Sequence, residues 1–332
     1  MNRRHALHAL AGVPLAASLA TLAARIASAE ALPAFDRPLR IVVPFAAGNT
    51  LDTAVRQVAE VFKANTGQPL LVDNKPGGSG LIAAQTVLNA PPDGFTLLLT
   101  NTSMLTINPH TFSKLPYDPE KSFKPVTNFL GASMVMAVHA GVPAANVREF
   151  VDWARANDGK VSFASFTAGN ASHFAGVILN QRAGLHMTHV PFNGTPPAVQ
   201  NLVGAQVDAA FLPLLAVKPH VESGKVKVLA VTSPQRSPLM PQVATFREQG
   251  YPDLDIYIWA AVAVPAATAD AMVARLNAEF VRVLQQPELR EKWRAMDFEP
   301  LPCTPQEFTR FMLADSRRWA EAVRLSGFKA SE

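Results

Sequence analysis

The stretch IVVPFAAGNTLDTAVRQVAEVF, residues 41–62, decides how the chain is read. Three β-branched residues, Ile41 to Val43, run up to Pro44, which cannot donate to a sheet ladder and so closes a strand. Small residues follow, then Gly48-Asn49-Thr50, and then apolar side chains at Val55, Val58, Ala59 and Phe62, the spacing of one helix face. Gly67 stops that helix. A strand, a small polar loop and a helix in this order leave the first helical N–H groups without partners, at the positive end of the helix dipole. Such a turn either holds an anion or caps itself.

The alternation continues outward from there. PLLVDNKPG predicts a second strand, SGLIAAQTVLNAPPDG a second helix ended by Pro91-Pro92, and FTLLLTN a third strand with the unbroken apolar run of a buried parallel strand. A second block repeats the pattern. SMVMAVHA, KVSFASF, MTHVPF and VDAAFLP read as strands, and the intervening segments as helices, the first of them capped by Asn146. KVKVLAVTS reads as a strand long enough to run between two sheets, and IYIWAAVAVP with three helices completes the chain. This order implies α/β architecture, with open, mostly parallel sheets covered by helices on both faces. No low-complexity tether separates the blocks. The reading is therefore two lobes joined by crossing strands, with a ligand cleft between them. Residues 30–130 form lobe 1, completed by about 240–332, and residues 131–239 form lobe 2.

Residues 1–29 are read as an export signal rather than fold. Arg3 and Arg4 open it, an Ala/Leu-rich stretch follows, and Ala27-Ser28-Ala29 supplies a cleavage site after Ala29. The paired arginines point to the twin-arginine route, with an ordinary Sec signal as the alternative. Either way the mature protein is expected in the periplasm. The precursor carries 30 basic and 26 acidic residues. The signal holds Arg3, Arg4 and Arg25 and no acid, so the mature chain is near neutral and nothing global points to nucleic acid or a membrane surface. Cys303 is the single cysteine, which leaves no intrachain disulfide, and PLPCTPQEF marks it as an inert structural thiol.

A search for catalytic patterns finds none. There is no phosphate-binding GxxxxGK[ST] loop and no GxGxxG after a strand, and GGSGL around Ser79 lacks the closing glycine of a nucleophile elbow. His186 and His189 enter a strand, where their side chains face opposite sides, so they do not make a metal pair. Asp52, Asp93, Asp118 and Asp208 have no paired-carboxylate spacing. The expectation is a protein without enzyme activity, metal or cofactor. What recurs instead is a set of neutral polar loops ahead of helices: AAGNT at 46–50, TNTSM at 100–104 and FTAGNASH at 166–173. Any one of them reads as simple capping, since Asn, Ser and Thr are good N-caps. Three at strand ends, in both blocks, point to an anion held by backbone N–H groups. Asp52, in the first turn of its helix, reads as a structural cap, and Trp259 as core. Phe45, Phe166 and Phe192 fit either an apolar pocket for an aromatic acid or the core.

These blocks also resemble a known family. RPLRIVVPFAAGNTLDTAVR, GQPLLVDNKPGGSGLIAAQTV, PPDGFTLLLTN, LPYDPEKSFKPVT, HVPFNGTPPAVQNLVGAQVDAAF and KVKVLAVTSPQRSPLMPQVATFREQG, in that order, are similar to the Bug-type periplasmic receptors of tripartite tricarboxylate transporters. The resemblance spans nearly all of the mature chain. It implies a two-lobe periplasmic binding protein fold closing on a small carboxylate, whether a di- or tricarboxylate, an amino acid or an aromatic acid. It implies a monomer that partners membrane transporter subunits or, alternatively, a sensor. It places ligand contacts on Phe45, Ala47, Gly48, Asn49 and Thr50, on Asn101, Thr102 and Ser103, and on Gly169, Asn170, Ala171, Ser172 and His173, with Asp208 near the cleft. Five positions depart from the family pattern. Asn49 stands where a second glycine is usual, and a positive φ there would suit asparagine. Asn170-Ala171 replaces Gly-Thr. Asn201, usually acidic, and Ala205, usually glycine, are expected to matter little.

Overall fold

In the computed structural model, which describes residues 34–330, the opening stretch forms β1 (Leu39–Val43) and α1 (Thr50–Thr66), with Gly67 in the left-handed conformation as its stop. β2 (Leu70–Asn74), α2 (Leu81–Leu88) and β3 (Thr96–Asn101) follow as the apolar pattern predicts. β1 pairs in parallel with both β2 and β3. After β3 comes a π-helical turn, Ser103–Ile107, leading into α3 (Asn108–Thr111).

The second block contains β4 (Phe123–His139), α4 (Val147–Ala156), β5 (Ser162–Ser165), α5 (Ala171–Ala183), β6 (Thr188–Pro191), α6 (Thr195–Val203) and β7 (Ala209–Pro213). The Asn146 cap of α4 is present, its side chain accepting the Glu149 N–H. α7 (Leu214–Glu222) and β8 (Val226–Val231) come next, then β9 (Tyr257–Pro265), α8 (Asp270–Leu284), α9 (Pro287–Arg294), β10 (Phe298–Pro300) and α10 (Pro305–Ser326). α7 escapes the sequence pattern because Pro219 lies inside it. The proline withdraws one N–H from the helix ladder, which costs helix propensity at that point.

The strands order as β2-β1-β3-β9-β4-β7-β5-β6, with β8 and β10 also pairing β4. The crossing strand is therefore β4 and not β8, which corrects the expectation from KVKVLAVTS. β4 is 17 residues long. Its residues 123–133 pair with β9, and residues from Met134 onward pair with β7 and β8. Among the named strands β8 pairs with β4 alone, with a single bridge from Val231 to Thr245. Register shifts near Pro125 and Asn128 absorb the proline in the strand and hide its first half from a period-two search. Thr232, buried where the chain leaves β8, clasps the crossing. Its hydroxyl accepts the Met134 N–H and contacts the Met134 and Ile256 carbonyls.

Two large cores flank the crossing. One packs Val55, Val58 and Phe62 of α1 against Phe280, Val283 and Trp293. The other packs Phe163, Phe174 and Phe211 with Phe246, Leu254, Ile256, Trp319 and Val323. The last five residues fall, by sequence order, in the part read as completing lobe 1, yet they pack with β5, α5 and β7. α10 takes part in both halves, with Phe308 and Met312 beside Trp259 at one end and Trp319 beside Phe174 at the other. Trp259 is core as expected, at 1% exposure. Among the described residues no helix is long and apolar enough to cross a membrane. The export signal and its cleavage site lie outside the described residues.

Candidate functional site

The register of β4 places the loops. β3 is antiparallel to β9, and β9 to β4, so β1, β2 and β3 run in the direction of β4, toward its second half. β7 is antiparallel to β4 and β5 is parallel to β7, so these strands run back toward the first half. Asn101 at the end of β3 pairs with Ala260, which pairs with Leu130, whereas Pro213 at the end of β7 pairs with Met134. The C-terminal ends of both strand sets thus face each other across roughly four residues of β4, about 13 Å. In open α/β sheets this edge is where ligands sit.

The first loop follows β1. Gly48 has φ 82, and its N–H donates to Asp52 Oδ2 at 2.8 Å. Asn49 is the N-cap, at φ −63, so the left-handed turn is at Gly48 and not at Asn49. The Asn49 Oδ1 accepts the Leu51 N–H at 2.8 Å, which turns this end of the amide onto its own helix and leaves Nδ2 outward. Asp52, 1% exposed, also accepts from Asn74 Nδ2 and Arg56 Nε, at 2.8 and 2.9 Å. Burial alone would raise its pKa, but the bonds from Arg56, Asn74 and the Gly48 N–H outweigh burial and hold it below 3.8. Asp52 is the brace of the loop, as its first-turn position predicts. Among the described residues the Ala47 and Thr50 N–H groups have no hydrogen-bond acceptor, and both residues are exposed.

The second loop, beside it, divides by role. Thr102 is buried, and its hydroxyl accepts the Trp259 N–H at 2.9 Å and lies 3.3 Å from the Trp259 carbonyl, so it fastens β9 rather than facing a ligand. Asn101 Oδ1 takes the Met104 N–H, leaving its Nδ2 and the half-buried Ser103 hydroxyl without partners among the described residues. A further loop at this edge, in GGSGL, escapes the sequence reading of polar loops ahead of helices. Gly77, Gly78, Ser79 and Gly80 all have positive φ, at 112, 55, 53 and 90°. The Ser79 carbonyl accepts from Asn108 Nδ2 at 3.1 Å. The available signal was its pattern, a glycine-rich stretch between strand and helix like residues 46–50.

The opposing loop follows β5. Asn170 caps α5, its Oδ1 accepting Ser172 N–H, Ser172 Oγ–H and His173 N–H at 3.0, 2.7 and 3.2 Å. Ser172 and His173 are buried and hold the loop from inside, with Ser172 Oγ accepting the Phe166 N–H and His173 Nδ1 accepting the Gly169 N–H. The Gly169 bond fixes the His173 proton on Nε2. His173 stacks on His189, and burial pushes their pKa values down to about 3 and about 4, with the neighbouring ring a further cause for His173. Ala171, buried, opens the helix, and Thr167 and Ala168 are exposed. Phe45, Phe166 and Phe192 stand half-buried just past the ends of β1, β5 and β6, packed on the cores.

Asp208 corrects the expectation carried by the resemblance. It precedes β7, level with His139 at the end of the sheet away from these loops, and its carboxylate accepts the Ser162 N–H and hydroxyl. Ser165 and His189, 2.7 Å apart, come closest to a nucleophile–base pair. Ser165 is fully buried and its hydroxyl is directed at the Thr167 carbonyl, so no substrate reaches it. His186 pairs instead with Asp158, and Cys303 is tied to β4 through Thr127, with burial raising its thiol pKa.

Known proteins resemble this chain in sequence and fold. Protein BugT of Bordetella pertussis is 30% identical over 91% of this chain and 92% of its own length. The solved structure of Rpa4515 from R. palustris with adipate matches at TM-score 0.78 and 28% identity, covering 89% of this chain and 98% of that one. MatC from Rhodopseudomonas palustris with bound malate matches at TM-score 0.72 and 30% identity, covering 87% and 99%. The model of the tripartite tricarboxylate transporter family receptor matches residues 54–328. With periplasmic binding proteins as its neighbours and two loop sets opposed across one strand, the chain belongs to the tripartite tricarboxylate transporter receptor family, that of the Bug solute-binding proteins.

Proposed function

We propose that this receptor captures a small carboxylic acid in the periplasm by closing two lobes on it, and delivers it to membrane subunits of a tripartite tricarboxylate-type transporter. The observation that carries the reading is the opposition of the two strand-end sets across β4, each bearing neutral donors. The Ala47 and Thr50 amides, Asn49 Nδ2, Asn101 Nδ2 and the Ser103 hydroxyl would take one carboxylate. The Thr167–Asn170 segment would close over the other end.

A carboxylate buried by closure needs donors for every oxygen, and several charge-assisted bonds supply what an ion pair otherwise would. Arg56, the cation in the first turns of α1, is engaged by Asp52 and Asn74. Two solved relatives, described with adipate and with malate, support the ligand class. The test is calorimetry of the mature protein against di- and tricarboxylates, amino acids and aromatic acids, with phosphate and sulfate alongside. Binding of a carboxylate is expected. Binding of inorganic anions and of no carboxylate would overturn the assignment.

A further inference from the structure

Beyond α10 the chain folds back onto the molecule. Gly327, at φ 64, turns it, and the Phe328 N–H is held by Ser326 Oγ at 3.1 Å. The Phe328 ring then occupies the space a side chain on Gly169 would need, since a Cβ there would meet its ring at 2.3 Å. The same ring stands edge-on to His173 and to Phe174, with centroids 5.4 and 6.2 Å away. Two residues later the Ala330 N–H donates to the Thr111 carbonyl at 2.9 Å. Thr111 ends the helical segment that begins at Ser103, in the other ligand loop.

We infer that Phe328 is a positioning residue of the ligand site: it wedges the Gly169–His173 loop into its binding shape, and the Gly327–Ala330 strap ties that loop to the segment carrying Ser103. The inference rests on the carboxylate reading for its ligand but not for its geometry. Phe328 touches three residues of the loop and its helix, while Thr167 and Ala168 of the loop are exposed. Its loss frees the loop without removing a donor. Gly169 is glycine for two reasons, its φ of 73 and the aromatic ring above it.

The test compares Phe328→Ala and Phe328→Leu in the otherwise intact mature chain. A loop that keeps its binding shape only a tenth of the time weakens apparent affinity about tenfold. Phe328→Ala is expected to raise the Kd for adipate or malate by that factor, with Phe328→Leu restoring most of it. Amide exchange in the ligand-free protein is the second readout, and it decides the matter even where neither acid binds. The Gly169 and His173 amides should exchange about tenfold faster in Phe328→Ala, while those of α8 are unchanged. Unchanged exchange at Gly169 and His173, or equal acceleration throughout the chain, overturns the inference. Failure of the wild type to bind any carboxylate overturns the functional proposal instead.

Discussion

His173 and His189 lie face to face, ring centroids 3.8 Å apart and 11° from parallel, with Phe163 stacked on the outer face of His189. Two cations cannot share that space, and the Gly169 N–H on His173 Nδ1 already requires a neutral ring. In the unfolded chain both imidazoles take protons near pH 6.5, whereas folded they resist down to about 4 for His189 and about 3 for His173. Between those limits the unfolded state binds more protons, so this contribution is complete above pH 6.5 and is lost as pH falls toward 4 and below. Melting temperature should drop steadily from pH 6.5 to 4.5. His189→Gln should flatten the slope to roughly half, since one of two titrating rings is gone. An unchanged slope would place the acid sensitivity elsewhere.

Asp315 gathers donors from three elements. Its Oδ2 accepts from Thr106 Oγ1, Trp259 Nε1 and Trp319 Nε1 at 3.0, 2.9 and 2.9 Å, and its Oδ1 accepts from Arg318 at 2.7 Å. Replacement by alanine strands two buried indole N–H groups, while Thr106 keeps the Thr102 carbonyl and Arg318 the Asp255 carbonyl, and should cost about 3–5 kcal/mol. Asp315→Asn, keeping the volume and one acceptor, should cost about 2 kcal/mol. Urea unfolding of both variants checks the order. A cost under about 1 kcal/mol for alanine would show that water replaces the carboxylate.

Ala205 occupies the left-handed region at φ 55, just after α6, where its Cβ crowds the neighbouring backbone. Glycine would hold that conformation without a Cβ to crowd. Ala205→Gly should stabilise the protein by about 1 kcal/mol, read as a higher denaturation midpoint with an unchanged slope. No gain would mean that the flexibility added to the unfolded chain offsets the relief.

At the crossing, the Tyr257 ring lies directly over Gly131, where a Cβ would fall 1.8 Å from Tyr257 Cε1. The Tyr257 hydroxyl donates to Glu299 at 2.7 Å. Gly131→Ala must displace the ring and should cost about 2–3 kcal/mol. Tyr257→Ala is costly alone, but combined with Gly131→Ala it should cost less than the sum, because the clash has only one partner. Strict additivity in that cycle would refute the contact as the cause.

The fold was largely legible because its strands and helices carry separate periodicities. β1, α1, β2, α2 and β3 all appear where the apolar spacing puts them. The first half of β4 was not legible, since Pro125 and Gly131 break its pattern and only pairing with β9 makes it a strand. The candidate loops could be read from Gly, Asn, Ser and Thr ahead of helices. Which donors remain open could not, because Asn49, Asn170 and Thr102 spend their acceptors on nearby or distant backbone through side-chain rotations a sequence does not encode. Asp208 shows the same limit for position, as register alone puts it at the far edge.

β9 sits between β3 and β4, although about 155 residues of chain separate it from β3 and about 117 from β4. During synthesis β1, β2 and β3 therefore emerge long before the neighbour that completes their sheet. Until residues 257–265 arrive, β3 presents an unfilled apolar edge, a ready target for misassembly. The chain must be kept apart from others until nearly its full length exists, and a fragment stopping short of β9 should be recovered as aggregate rather than as half a receptor.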